Sequence, residues 1–124
     1  MEETSFDWRE SFESACGTLL EGTRTENFST FRAEIKEKTD AHYHEKSEEL
    51  FIILEGKGIL RVKELGADEV REVELEEGKE VLISPMNIHQ VEPDGKLVVE
   101  TVNFPPWREE DLKKTDKELF NASP

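Results

Sequence analysis

Turn-forming residues cut this chain into runs too short for helices. Gly56-Lys57-Gly58, Gly66-Ala67-Asp68, Glu76-Glu77-Gly78, Pro85-Met86-Asn87 and Asp94-Gly95 recur at short, regular intervals. Between them lie residues 49–54, 59–62, 70–75, 81–83, 89–91 and 96–104, most of them rich in β-branched and aromatic side chains that favour a pleated backbone. Residues 28–35 alternate in the same way, with Phe31, Ala33 and Ile35 on one face and Arg32 on the other. Many short strands separated by glycine, proline and aspartate specify an all-β barrel or sandwich. Gly56-Lys57-Gly58 and Asp94-Gly95 read as hairpin turns.

The two ends read differently. Asp7-Trp8-Arg9-Glu10 has the form of a capping box, and Phe12, Cys16, Leu19 and Leu20 follow at helical spacing. A short helix is expected there, weakened at Gly17 and ended at Gly22. Pro105-Pro106 stops the last strand, since neither residue donates to a ladder. The segment beyond has helical composition with few large apolar groups, namely Trp107, Leu112, Leu119 and Phe120. At 124 residues the chain fits one domain. Its expected parts are a flanking helical segment over 1–27, a barrel over 28–106 and a helical tail over 107–124.

Chemistry concentrates in the histidines. The chain has only three. His42 and His44 are two residues apart, so on a strand their rings project side by side while Tyr43 points away. Glu49 follows, and His89 comes after the Pro85-Met86-Asn87 turn. Imidazole is the commonest ligand for first-row transition metals, and a carboxylate adds charge. Parity places Phe51 and Ile53 on the face of Glu49, and Val91 on the face of His89 with Gln90 turned away. These three apolar residues are the expected lining of a substrate pocket.

The pattern His-x-His-x(4)-Glu-x(6)-Gly, here His42, His44, Glu49 and Gly56, resembles the first cupin motif. The stretch from Gly78 to His89 resembles the second, with Ser84 where the family has proline, Met86 where it has glycine, and Pro93 in place of a terminal asparagine. The resemblance covers about residues 28–106. It implies a double-stranded β-helix, or jelly roll, flanked here by the two short helices. It also implies one divalent transition metal per chain (Fe, Mn, Ni, Co, Cu or Zn) held by His42, His44, Glu49 and His89. Barrel closure should bring His89 from the part of the barrel facing the other histidines. Three imidazoles and a carboxylate leave about two octahedral positions open to substrate. A metal-dependent enzyme on a small oxygen-chelating metabolite is therefore expected, of dioxygenase, isomerase or epimerase, or lyase type. The alternative is a non-catalytic metal- or ligand-binding or sensing domain. No catalytic acid or base can be assigned, and among polar strand residues Arg61, Glu55 and Glu100 read as outward-facing.

Composition narrows the partners. Sixteen Lys and Arg stand against 30 Asp and Glu, a formal net charge of −14. Such a field repels phosphate backbones and anionic lipid surfaces, which argues against nucleic-acid and membrane partners. With one cysteine there is no intrachain disulfide and no cysteine-based metal centre. The first residues lack the basic and apolar regions of a signal peptide, so a cytoplasmic location is expected. The apolar residues Leu97, Val98, Val99 and Val102, with Phe6, Trp8 and Trp107 near the ends, exceed what one strand face can bury, so a homodimer is expected.

Overall fold

The computed structural model describes residues 11–14 and 17–120, and side chains from residue 18 onward. Over these residues it is an all-β jelly roll of nine strands: β1 (Ser11–Ser14), β2 (Gly17–Arg24), β3 (Ser29–Ile35), β4 (His42–His44), β5 (Glu48–Glu64), β6 (Val70–Glu76), β7 (Glu80–Ile83), β8 (Asn87–Phe104) and β9 (Leu112–Lys114). Two strands are long enough to serve both walls of the barrel. One wall runs β1-β2-β3, then residues 97–104 of β8, residues 48–55 of β5, and β7. The other runs β9-β4, then residues 87–94 of β8, residues 57–64 of β5, and β6.

This corrects both expected hairpins. Gly56-Lys57-Gly58 and Asp94-Gly95 do not reverse the chain; they are corners at which β5 and β8 pass from one wall to the other. The two corners pack on each other. Gly56 has φ 89°, and a Cβ there would run into Lys96 O; at Gly58 it would lie 2.9 Å from Glu92 O. Only glycine permits so close an approach of two backbones.

The space between the walls is filled by inward residues at period two. Phe31, Phe51, Ile53, Leu60, Leu97 and Val99 are each at most 2% exposed. Burying a side chain of this kind contributes about 1.5–3 kcal/mol. Phe31, Ala33 and Ile35 are all buried, as the alternation of β3 required. Trp107 closes one end, packing edge-on against Phe31 with ring centroids 5.7 Å apart.

Neither expected helix is present among the described residues. Residues 1–10 and 15–16 lie outside them, so the capping box itself goes undescribed. The remainder of that segment forms β1 and β2: Leu19 pairs with Ala33 and is buried, and Gly22 sits within a strand instead of ending a helix. Ladder bonds to β3 satisfy more backbone than an isolated helical turn could, so tertiary pairing overrides local spacing. After Trp107 the chain makes one 3-10 turn at Glu109–Asp111 and then pairs β9 with β4. Its last described residues lie over the outer face of the second wall. There Leu119 joins Ala41 and Ile88 in a small separate core, with Tyr43 and Phe120 beside it. Arg61 ties this strap down, donating to Leu119 O at 2.9 Å and lying over the Phe120 ring.

Candidate metal centre

β4 is only three residues long, and its neighbours hold it. His42 pairs with His89 of β8 on one side and with Lys114 of β9 on the other, while His44 pairs with Leu112. Met86 N donates to His44 O at 2.8 Å. Met86 itself has φ 65°, the left-handed conformation that explains glycine at this place in the family pattern. Its carbonyl accepts from Leu65 N, so both of its backbone groups are fixed.

All three histidines thus come from the second wall, on adjacent strands. This corrects the expectation that His89 reaches across the barrel. Glu49 does so instead, since it pairs with Ile83 and Asn103 in the first wall. One ligand atom from each of His42, His44, Glu49 and His89 falls within 4.8 Å of the others. All four residues are buried, at 1–3% exposure. Glu49 Oε1 lies 3.3 Å from His89 Nε2 and 3.8 Å from His44 Nε2. Ligands held about 2.0–2.2 Å from an ion sit roughly 3 Å apart in adjacent positions. The cluster therefore needs only a small contraction to close on one.

The orientation of three of the four donors has an identifiable cause. His42 Nδ1 is 2.9 Å from Asp40 O and His89 Nδ1 is 3.0 Å from Asn87 O, the same two-residue reach in both. A proton on Nδ1 satisfies these carbonyls and leaves Nε2 as the lone-pair donor. Glu49 is held by Asn103, whose Nδ2 donates to Oε2 at 3.2 Å. His44 faces a carboxylate: Asp111 Oδ2 is 3.8 Å from Nδ1. Asp111 also accepts from Lys46 N and Ser47 N, which fixes the turn between His44 and Glu49.

What remains is a set of buried polar atoms with no hydrogen bond: both ring nitrogens of His44, Nε2 of His89, Oε1 of Glu49 and Oδ1 of Asn103. Native interiors rarely leave such atoms unsatisfied, and four of these five belong to the cluster. Burial, and then the neighbouring His89, lower the His42 imidazole to about 3. Burial lowers His44 as well. Burial alone would raise the Glu49 carboxyl, but the His89 ring beside it and the rest of the histidine set outweigh that and lower it. At neutral pH His42 and His44 are neutral imidazoles and Glu49 is a carboxylate, the protonation states that ligate. The nitrogen-rich donor set suits a divalent transition ion and not magnesium or calcium, which take oxygen shells.

Of the expected pocket residues, Phe51 sets its ring edge-on to His89 at 6.2 Å, and Ile53 and Val91 lie in the main core. Arg61 pairs with Glu72 at 3.0 Å on the outer surface, and Glu55 is exposed. The sequence reading missed Asn103 and Asp111. Asn103 was accessible to it: strand parity runs Leu97, Val99, Thr101, Asn103, all buried, so an amide on that face had to meet a polar partner. Asp111 left no such signal, because nothing local ties a carboxylate in the tail to His44.

Comparison with known proteins places this geometry. A family model described as the polysaccharide biosynthesis C-terminal domain matches residues 13–117. An uncharacterised protein of Methanocaldococcus jannaschii is 30% identical over 78 residues, which cover 61% of this chain and 58% of that one. The capsular polysaccharide assembling protein CapF of Staphylococcus aureus superposes with a TM-score of 0.75 at 19% identity, over 88% of this chain and 32% of that chain. Pac13 of Streptomyces, described as a nucleoside dehydratase and solved as a variant with uridine, superposes with a TM-score of 0.74 at 13% identity, over 90% of this chain and 92% of that chain. These structures are cupin-type barrels, and at such identities the likeness establishes the shared fold. The chain spans 58% of its curated relative and about a third of CapF. Among the described residues no helix is long and apolar enough to cross a membrane.

Proposed function

The chain belongs to the polysaccharide biosynthesis C-terminal domain family and folds as a cupin; from that premise we propose that it is a divalent-metal-dependent enzyme acting on a small, oxygen-chelating carbohydrate or carbohydrate-like metabolite. The reaction class that fits best is isomerisation, epimerisation or elimination next to a carbonyl. One observation carries the reading: one ligand atom from each of four buried residues, drawn from two walls of the barrel, converges within 4.8 Å, and the atoms from His44, Glu49 and His89 make no hydrogen bond. The names of the similar proteins, one in capsular polysaccharide assembly and one a nucleoside dehydratase, supply the substrate class.

His42, His44, Glu49 and His89 would hold the ion, which when bound polarises an oxygen of the substrate. The Asp40 and Asn87 carbonyls fix two of the rings, Asn103 holds Glu49, and Asp111 sets a carboxylate beside His44. Phe51, Ile53 and Val91 exclude water and strengthen the field at the cluster. Loading the protein with Mn(II), Fe(II), Co(II), Ni(II) or Zn(II) should give one ion per chain. Solvent deuterium should then enter aldose or ketose substrates beside the carbonyl, read by proton NMR. Bound metal without exchange or turnover on any sugar would favour the alternative, a non-catalytic binding domain. Absence of metal binding would remove the premise.

The homodimer belongs to the same proposal. On the outside of the first wall, Leu50, Ile52 and Val102 are partly exposed, and beside them Leu82 is 53% and Leu54 36% exposed. A contiguous apolar face of this kind favours a second copy as its cover. Light scattering should return twice the chain mass, and Leu82→Glu should return the monomer.

A further inference from the structure

Asn103 has two polar ends, and the site as described uses one. Its side chain is fully buried, on the strand position directly opposite Glu49. The amide nitrogen donates to Glu49 Oε2 at 3.2 Å, which sets the amide's orientation, since the reverse would place its carbonyl oxygen against the carboxylate. Oδ1 is then left inside the barrel with no hydrogen bond. The other polar group on the facing strand position is Ser29, whose Oγ accepts from Trp107 N at 2.9 Å.

We propose that Asn103 Oδ1 is the acceptor for a hydroxyl hydrogen of the ligand at the cluster, so that the site selects a ligand bearing an O–H beside its metal-binding oxygen. This rests on the metal-enzyme reading above and sharpens it. A diol, an α-hydroxy carbonyl or an α-hydroxy acid supplies both the chelating oxygen and the donor. A dicarboxylate or an alkoxy acid chelates but leaves Oδ1 bare. A buried acceptor that stays unmatched rejects the ligand lacking the donor, and this makes the amide a specificity determinant as well as a support for Glu49. One residue thus couples the position of a ligand-holding carboxylate to the chemistry of what binds there.

The probes are glycolate and methoxyacetate, which share a carboxylate and an α-oxygen and differ in the hydroxyl hydrogen. Both are titrated into Co(II)-loaded protein and followed by the visible absorption of the ion. Wild type should prefer glycolate by about five- to tenfold, the worth of one hydrogen bond. Asn103→Leu keeps the size of the side chain, so any steric penalty on the methyl group persists while the hydrogen bond goes; its preference should fall to near unity. Asn103→Asp keeps an acceptor and loses the donor to Glu49, so it should bind cobalt more weakly yet retain the preference. Because each preference is a ratio measured on one protein, a general loss of metal affinity cancels from it. Equal ratios in wild type and Asn103→Leu would overturn the assignment while leaving the metal reading intact. Wild type that takes up no cobalt would overturn both.

Discussion

His89 and Gln90 are neighbours on one strand, equally buried at 1% exposure, and their surroundings are opposites. Gln90 points to the outer face, where every polar atom is matched. Its Nε2 donates to Thr39 O at 2.8 Å and to Glu118 Oε1 at 2.9 Å, and its Oε1 accepts from Leu119 N at 2.8 Å. His89 points between the walls, where its Nε2 meets Glu49 and His44 and none of the three is satisfied. A polar group buried to hold a fold is surrounded by partners. On the proposed reading, a polar group buried to hold a ligand has its partner left out, and the contrast across one peptide bond separates the two uses of burial.

The sharpest way to break this comparison is to exchange the fates of the two residues. His89→Ala should lower affinity for Co(II) or Zn(II) by more than about 100-fold, since loss of a mere orienting partner already costs about 10–100-fold. Chelator competition measures it, and urea unfolding of the metal-free variant should show little loss of stability. Gln90→Leu should do the reverse. It strands Thr39 O and Leu119 N–H, which costs about 2–3 kcal/mol in urea unfolding, with metal affinity unchanged. If Gln90→Leu released metal or His89→Ala unfolded the chain, the division between faces would be wrong.

Acid gives a gentler test. In the folded metal-free protein His42 is lowered to about 3 and His44 is lowered too. Unfolding restores values near 6.5, so below that pH the unfolded chain binds protons that the folded chain refuses, and stability falls as pH falls. The outer strap depends on Glu118, which Lys38 holds below the ordinary carboxylate range, so its contribution is lost only at lower pH. Stability of the metal-free protein should therefore decline between pH 6.5 and 5, and His42→Phe should flatten that decline while Glu118→Gln should not. The smallest effect is expected at Met86. Replacing it by glycine relieves the left-handed backbone at a cost in unfolded-chain entropy, a net stabilisation of at most about 1 kcal/mol by thermal melting.

The candidate cluster was largely legible in the sequence because its residues fall at short, motif-like spacings. His42 and His44 had to share a face, and the family motifs tied them to Glu49 and His89. The corners were not legible. Gly56-Lys57-Gly58 looks locally like any glycine turn, and only its packing on residues 93–97 tells a corner from a hairpin. The ends were misread for a related reason. Leu19 and Leu20 fit a helical period, but a ladder with β3 was available to them, and Leu112–Lys114 found an open edge on β4.

Sequence alone determined the strands of the central barrel, the inward faces of β3 and β5, the candidate donor set and the acidic field, because each follows from side-chain period, side-chain chemistry or net charge. Tertiary structure decided which wall each candidate ligand comes from, and that the tail covers Gln90. It also brought Asp111 to His44 and set Asn103 opposite Glu49 with one end free. Those outcomes depend on the register between strands far apart in the chain. Register is fixed by the packing of two whole faces against each other, and no local stretch of residues encodes it.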